Sequence, residues 1–288
     1  MSKNNIKGKI CLITGGSSGI GLEVAKRLFR LGAKVIICGR SKVQLNRAIL
    51  EIGHSGKEVM VHSADISKSK DVELLFKQIL NRFNRIDVLI NAAGIFEPFG
   101  LFESVPVKRH IKTLCINLIG AMRVCHKIIP IMKKQKSGSI ILFSGGGIGG
   151  DKPLTHASSY FMSKGAIAIM AEVLAEELKQ YNITINSVLP GQILTKSTKN
   201  TFKLSDDQLG PVLSKATRDL ENNGGHSVVP TLNLITFLLS KKASNITGCL
   251  LSARWDDITK LDNLSDYKYK LRRIEGSIYT RSIKRIRR

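Results

Sequence analysis

Short apolar runs recur along the chain and alternate with longer stretches in which apolar residues return every three or four positions. Lys9–Thr14, Lys34–Cys38, Val59–His62, Asp87–Ile90, Ser139–Phe143, Ile183–Val188 and Cys249–Ser252 are the short runs, and most stop at glycine, proline or polar clusters. That is the pattern of strands buried on both faces. Between them, helical periodicity is predicted over Leu22–Leu31, which Gly32 ends, and over Ser41–Ile52, Ser67–Phe83, about Val107–Met132, Ala166–Lys179 and Thr231–Leu239. A weaker pattern predicts a helix over Ser205–Glu221. Strands alternating with helices require a mostly parallel seven-stranded sheet covered on both faces, an α/β doubly wound domain. Residues 1–265 are assigned to this single domain, with a polar, weakly patterned lid at about 196–226 and a distinct basic tail at 266–288.

Composition changes this picture in one respect. Of the 288 residues, 43% are hydrophobic and 23% charged, as in an ordinary globular chain. The charge is not ordinary: 45 Lys and Arg against 22 Asp and Glu give +23. Tyr267–Arg288 carries +8 of that, so +15 is spread over the rest. Such a field favours polyanionic partners, nucleic acid or an anionic membrane surface among them. Leu271, Ile274, Ile278, Ile283 and Ile286 could line one face of the tail. The N-terminus has no apolar leader, and no apolar run is expected to span a bilayer. The five cysteines are scattered and never paired as Cys-x-x-Cys, which suits a reducing cytoplasm and argues against a metal site.

The candidate chemistry lies where runs end. Gly15, Gly16, Ser17, Ser18, Gly19, Ile20 and Gly21 join the first strand to the first helix. A glycine turn there lets backbone amides and a helix N-terminus face a pyrophosphate. The second strand ends in Cys38-Gly39-Arg40, with a guanidinium where an acid would hold a ribose 2′-hydroxyl. Arginine suits a 2′-phosphate, so NADP(H) is favoured over NAD(H). Tyr160 and Lys164 sit four apart at the start of a helical run. A neighbouring ammonium lowers a tyrosine pKa from its usual ~10 towards neutrality, where the phenol can exchange a proton with a hydroxyl or carbonyl.

Thr14–Gly21, Asn91–Gly94, Asn117, Tyr160-x-x-x-Lys164 and Pro190-Gly191 together resemble the short-chain dehydrogenase/reductase family over roughly residues 7–255. The resemblance implies a Rossmann-type fold, a nicotinamide cofactor, a small carbonyl or alcohol substrate and a homodimer or homotetramer. It implies Tyr160 as general acid/base, Lys164 as its partner and a ribose ligand, and Asn117 as the holder of a relay water at a helix irregularity. It further implies cofactor contacts at Asp65, Ile66, Asn91, Ala92, Gly94, Pro190, Gly191, Ile193 and Thr195. Leu251–Asp257 with Leu271–Ile274 resembles a subgroup associated with surface-polysaccharide and sugar-nucleotide pathways. One position departs. The family's substrate-binding serine stands thirteen residues before the tyrosine, which is Gly147 here; aligned on the end of the fifth strand it is Gly145. Ser144 is the nearest hydroxyl, with Thr155, Ser158 and Ser159 as other candidates. The leading expectation is an NADP(H)-dependent oxidoreductase interconverting a secondary alcohol and a ketone. The alternative is a cofactor-binding regulator or nucleic-acid-binding protein of the same fold.

Overall fold

The computed structural model describes residues 6–53, 58–146, 148 and 154–258; the basic tail and Gly147 lie outside the described residues. Seven strands form one sheet: β1 (Ile10–Thr14), β2 (Lys34–Gly39), β3 (Val59–Ser63), β4 (Val88–Asn91), β5 (Gly138–Phe143), β6 (Ile183–Leu189) and β7 (Leu250–Ser252). Their order is β3-β2-β1-β4-β5-β6-β7, and every pairing is parallel. Among the described residues the sheet is wholly parallel. The order reverses between β1 and β4, the place where such sheets open a crevice for ligands.

Strand alternation sends neighbouring residues to opposite faces. Cys11 and Ile13 of β1 join a core with α1 (Gly19–Arg30), α2 (Lys42–Ile52) and α9 (Val229–Leu238). Ile10 and Leu12 join the other core, under α3 (Ser69–Phe83), α5 (Gly120–Gln135) and α6 (Ser158–Leu178). All five β1 residues are buried, which is why the strand reads as a continuous apolar run. At the strand entry, the buried Asp87 carboxylate accepts the Ile10 amide at 2.8 Å and pairs with Arg85. These bonds compensate its burial.

The helical region expected over Val107–Met132 has three parts: α4 (Val107–Leu114), a π-helical turn (Cys115–Ile119) and α5. By length and apolar composition this run could cross a membrane, contrary to the expectation above. In the fold, its Val124, Cys125, Ile128 and Met132 are buried against the sheet. The segment at about 196–226, expected from the sequence to be a lid, holds the short α7 (Lys196–Lys199) and α8 (Asp206–Asn223). Gly210 breaks α8 with φ 68° and ψ 168°, a left-handed backbone open to glycine. A Cβ there would lie 2.2 Å from the His156 ring, so glycine is required twice over.

Candidate active site

Loops at the carboxyl ends of the strands surround one cleft of about 1020 Å³. The turn after β1 forms its floor. Gly15 has φ 67°, and a Cβ on it would sit 2.7 Å from the Ala93 amide nitrogen. A Cβ on Gly21 would sit 2.4 Å from the Gly15 carbonyl oxygen. The two loops thus pack backbone to backbone, and Thr14 locks them: its Oγ1 donates to Asn91 Oδ1 at 2.7 Å and accepts from the Ala93 amide at 3.3 Å. The first turn of α1 carries no acid, so its dipole and amides meet the cleft uncompensated. This is a cradle that fits the pyrophosphate of a dinucleotide.

Arg40 is exposed on the cleft wall beyond β2, beside Ser17, Ser18 and Gln44. Ser41 caps α2 by accepting the Gln44 amide at 3.3 Å, which fixes the turn that carries Arg40. Asp65 and Ile66 follow β3 and also line the cleft. The Asp65 carboxylate accepts from both the amide and the hydroxyl of Ser67, at 3.0 and 2.7 Å. Across the cleft lie Pro190, Gly191, Ile193 and Thr195 after β6. Thr195 caps α7, and its side chain would be 3.4 Å from a Cβ on Gly19, so the two walls nearly touch there.

Tyr160 and Lys164 both fall inside α6, which begins two residues before the tyrosine. Tyr160 packs its ring against Phe96 (centroids 4.5 Å apart) and Phe161 (5.4 Å). Lys164 is buried, and its Nζ donates to the Phe143 carbonyl at 2.8 Å while lying 5.7 Å from the Tyr160 ring centroid. Burial pushes the phenol up to about 12 and the ammonium down to about 8. The sequence pairing implies a tyrosine lowered towards neutrality, and the side chains alone give the opposite sign. Burial is the cause of both shifts, and the ammonium is tied to the Phe143 carbonyl.

Asn117 is fully buried in the π-helical turn, which supplies the expected helix irregularity. Its Oδ1 accepts the Ile95 amide at 2.8 Å, and its Nδ2 donates to the Ile95 carbonyl at 3.0 Å and to Ser163 Oγ at 3.1 Å. The side chain clamps the loop after β4 onto α6 and stands behind the cleft wall. Asn91 is likewise buried and turned to Thr14, so Ala92, Ala93 and Gly94 line the cleft in its place.

The serine position can be placed. Ser144 lines the cleft, but its hydroxyl donates to the Lys164 carbonyl at 2.8 Å, so it braces α6 instead of facing Tyr160. That corrects the expectation for Ser144. A Cβ on Gly145 would lie 2.8 Å from Tyr160 Oη and 2.8 Å from Lys164 Cγ. The tyrosine hydroxyl therefore occupies the space that a side chain at the end of β5 would fill. Thr155 is bound to His156 and Ser159 to His110; neither they nor Ser158 line the cleft.

Other wall residues carry no individual expectation from the sequence: Phe96 and Phe161 beside Tyr160, Leu213 and Thr217 from α8 in the segment expected as a lid, and Arg254 and Trp255 after β7. The hydroxyls of Thr14 and Ser163 brace the site from behind. Their spacing carries no signal, because tertiary contact alone brings them together.

The family model for short chain dehydrogenases matches residues 9–205. A D-beta-hydroxybutyrate dehydrogenase from Cupriavidus necator is 30% identical over 85% of this chain and 96% of its own. A carbonyl reductase family member 4 from Xenopus laevis is 34% identical, covering 71% and 83%. A fatty acyl-CoA reductase from Acinetobacter baylyi is 32% identical over 65% of this chain, and the match spans 63% of that protein's length. Among solved structures, NAD+-bound xylitol dehydrogenase aligns with TM-score 0.77 and 25% identity, covering 86% of this chain and 98% of that one. An actinorhodin polyketide ketoreductase with NADPH aligns with TM-score 0.76 and 25% identity, covering 87% and 96%. With the glycine cradle at the sheet's reversal point and Tyr160 and Lys164 at the end of β5, these likenesses make the chain a member of the short-chain dehydrogenase family, oxidoreductases acting on CH–OH groups.

Proposed function

We propose that the protein reduces a ketone to a secondary alcohol, and catalyses the reverse, with NADP(H) and with Tyr160 as the proton-transferring group. The observation that carries this reading is the placement of the Tyr160 hydroxyl and the Lys164 amine together in the wall of the cleft that holds the glycine cradle. The cofactor would supply the hydride. Tyr160 would donate the proton from Oη to the carbonyl oxygen as it gains charge. A phenol raised by burial is protonated at neutral pH, which is the form that donates a proton in reduction. Lys164, anchored at Phe143, would meet the ribose of a bound cofactor, and Asn117 keeps the Ile95 loop and α6 in register.

The NADP(H) preference rests on Arg40, an exposed guanidinium beside Ser17 and Ser18 with no acid at the end of β2. Solved relatives hold either NAD+ or NADPH, so the local residues carry this part of the reading. A homodimer or homotetramer is supported by apolar side chains standing out from α4, α5 and α6: Val107, Ile111, Met122, Ile169 and Val173. The test is Tyr160→Phe. NADPH binding should be retained while turnover of carbonyl substrates falls by roughly 10²–10⁴; full turnover in the variant refutes the role.

A further inference from the structure

The cleft runs across the sheet, and its two ends are built differently. Arg40 follows β2 at one end, Tyr160 packs at the end of β5, and Arg254 and Trp255 follow β7 at the other end. The Ala253 amide donates to the Leu189 carbonyl at 2.9 Å, which sets this turn beside Pro190. A second guanidinium therefore stands on the far side of the reacting centre from the one assigned to the cofactor.

This turn is fixed. Ser252 Oγ accepts the amides of Arg254 and Trp255, both at 3.3 Å, while the Asp256 carboxylate is turned back onto the Ser252 amide at 2.7 Å. The Arg254 guanidinium lies over the Trp255 ring system, 4.5 Å from its centroid, a cation–π contact that helps hold it in place. Its Nη1 donates at 2.7 Å to Nε2 of His226, since arginine cannot accept. His226 is itself held by its amide donating to the Gln192 carbonyl at 2.8 Å. Trp255 is 70% exposed although it lines the cleft, so a large flat apolar surface stands uncovered beside an oriented cation.

We propose that Arg254 and Trp255 form a substrate subsite for an anionic group, a carboxylate or a phosphate, carried next to a flat apolar segment. The inference rests on the reading of the cleft as a dinucleotide site with Tyr160 at its reacting centre. A planar guanidinium matches both anions through paired N–H donors, and an exposed tryptophan covers the adjoining segment. The high positive charge of the chain would draw such substrates in. The aromatic wall of Phe96 and Phe161 suits the uncharged part around the carbonyl.

Trp255 is the only tryptophan in the chain, so its fluorescence reports this turn directly. The experiment titrates the full-length protein, saturated with NADP+, with para-acetylbenzoate, phenyl phosphate and neutral para-methylacetophenone. At least one anion should change the emission saturably and bind at least tenfold more tightly than the neutral ketone. Arg254→Gln, with an unchanged thermal midpoint, should remove that difference, and Arg254→Lys should restore part of it. Which anion binds better separates carboxylate from phosphate. Equal binding of the neutral probe, no loss in Arg254→Gln, or anion binding that vanishes when NADP+ is bound would overturn the proposal. NADP+ binding is measured separately by calorimetry. Its failure alongside intact anion binding overturns the cofactor reading and with it the substrate role of the subsite, while the anion site at Arg254 and Trp255 remains.

Discussion

Replacing Gly145 by serine puts two arguments in direct conflict. Judged by family pattern, the variant restores a missing hydroxyl donor, and a well-placed donor contributes on the order of 10²-fold to turnover. The structure predicts the reverse. The new Cβ would stand 2.8 Å from Tyr160 Oη and 2.8 Å from Lys164 Cγ, closer than carbon tolerates. Neither neighbour gives way freely. Lys164 is held at both ends, by Nζ to the Phe143 carbonyl and by its own carbonyl accepting from Ser144. The Tyr160 ring is wedged between Phe96 and Phe161. Overpacking of this kind costs about 1–3 kcal/mol, which lowers the thermal midpoint by roughly 2–12 °C at 2–4 °C per kcal/mol. A phenol displaced by ~1 Å loses on the order of 10² in turnover. The assay pairs thermal melts with NADPH consumption. Gly146→Ser is the control, because a Cβ there meets nothing within 4 Å and should be neutral. A Gly145→Ser protein with an unchanged midpoint and raised kcat/KM would refute the steric argument.

Two further outcomes follow from the same geometry. Arg40→Ser should raise the KM for NADPH by roughly tenfold or more, and should leave NADH little changed, since one charge-assisted bond is worth about 1.5–3 kcal/mol; equal effects on both cofactors would remove Arg40 from the 2′-phosphate. Lys164, lowered from 10.5 to about 8 by burial, binds fewer protons folded than unfolded between those values. Wild-type stability measured against Lys164→Met should therefore improve as pH rises from 8 to 10, after subtraction of any constant offset; a difference that is flat or falling would show that the ammonium is not desolvated.

The fold was largely legible in the sequence because both faces of a parallel sheet are covered. β1 is buried at all five positions, so it reads as an unbroken apolar run, and Gly32 marks the end of α1 with φ 85°. The glycine turn was legible for a related reason: Gly15 and Gly21 are demanded by backbone contact at a fixed place in the chain. Element ends were less so. α6 begins before Tyr160 rather than at Ala166, and the run from Val107 contains a π-helical turn that no periodicity announces.

By itself, then, the sequence determined the alternation of strands and helices, the cradle after β1, Arg40 at the end of β2 and the Tyr160–Lys164 pair. Each depends on residues close together in the chain, where spacing and residue type carry the information. Only the tertiary structure decided the direction in which burial moves Tyr160 and Lys164, because that depends on what encloses them and on the Phe143 carbonyl that anchors the amine. It also decided that Ser144 faces α6, that Tyr160 fills the place of a side chain at Gly145, and that Arg254 and Trp255 join the same cleft from more than ninety residues away. These are contacts between distant segments, set by the order of strands in the sheet, and local pattern cannot encode them.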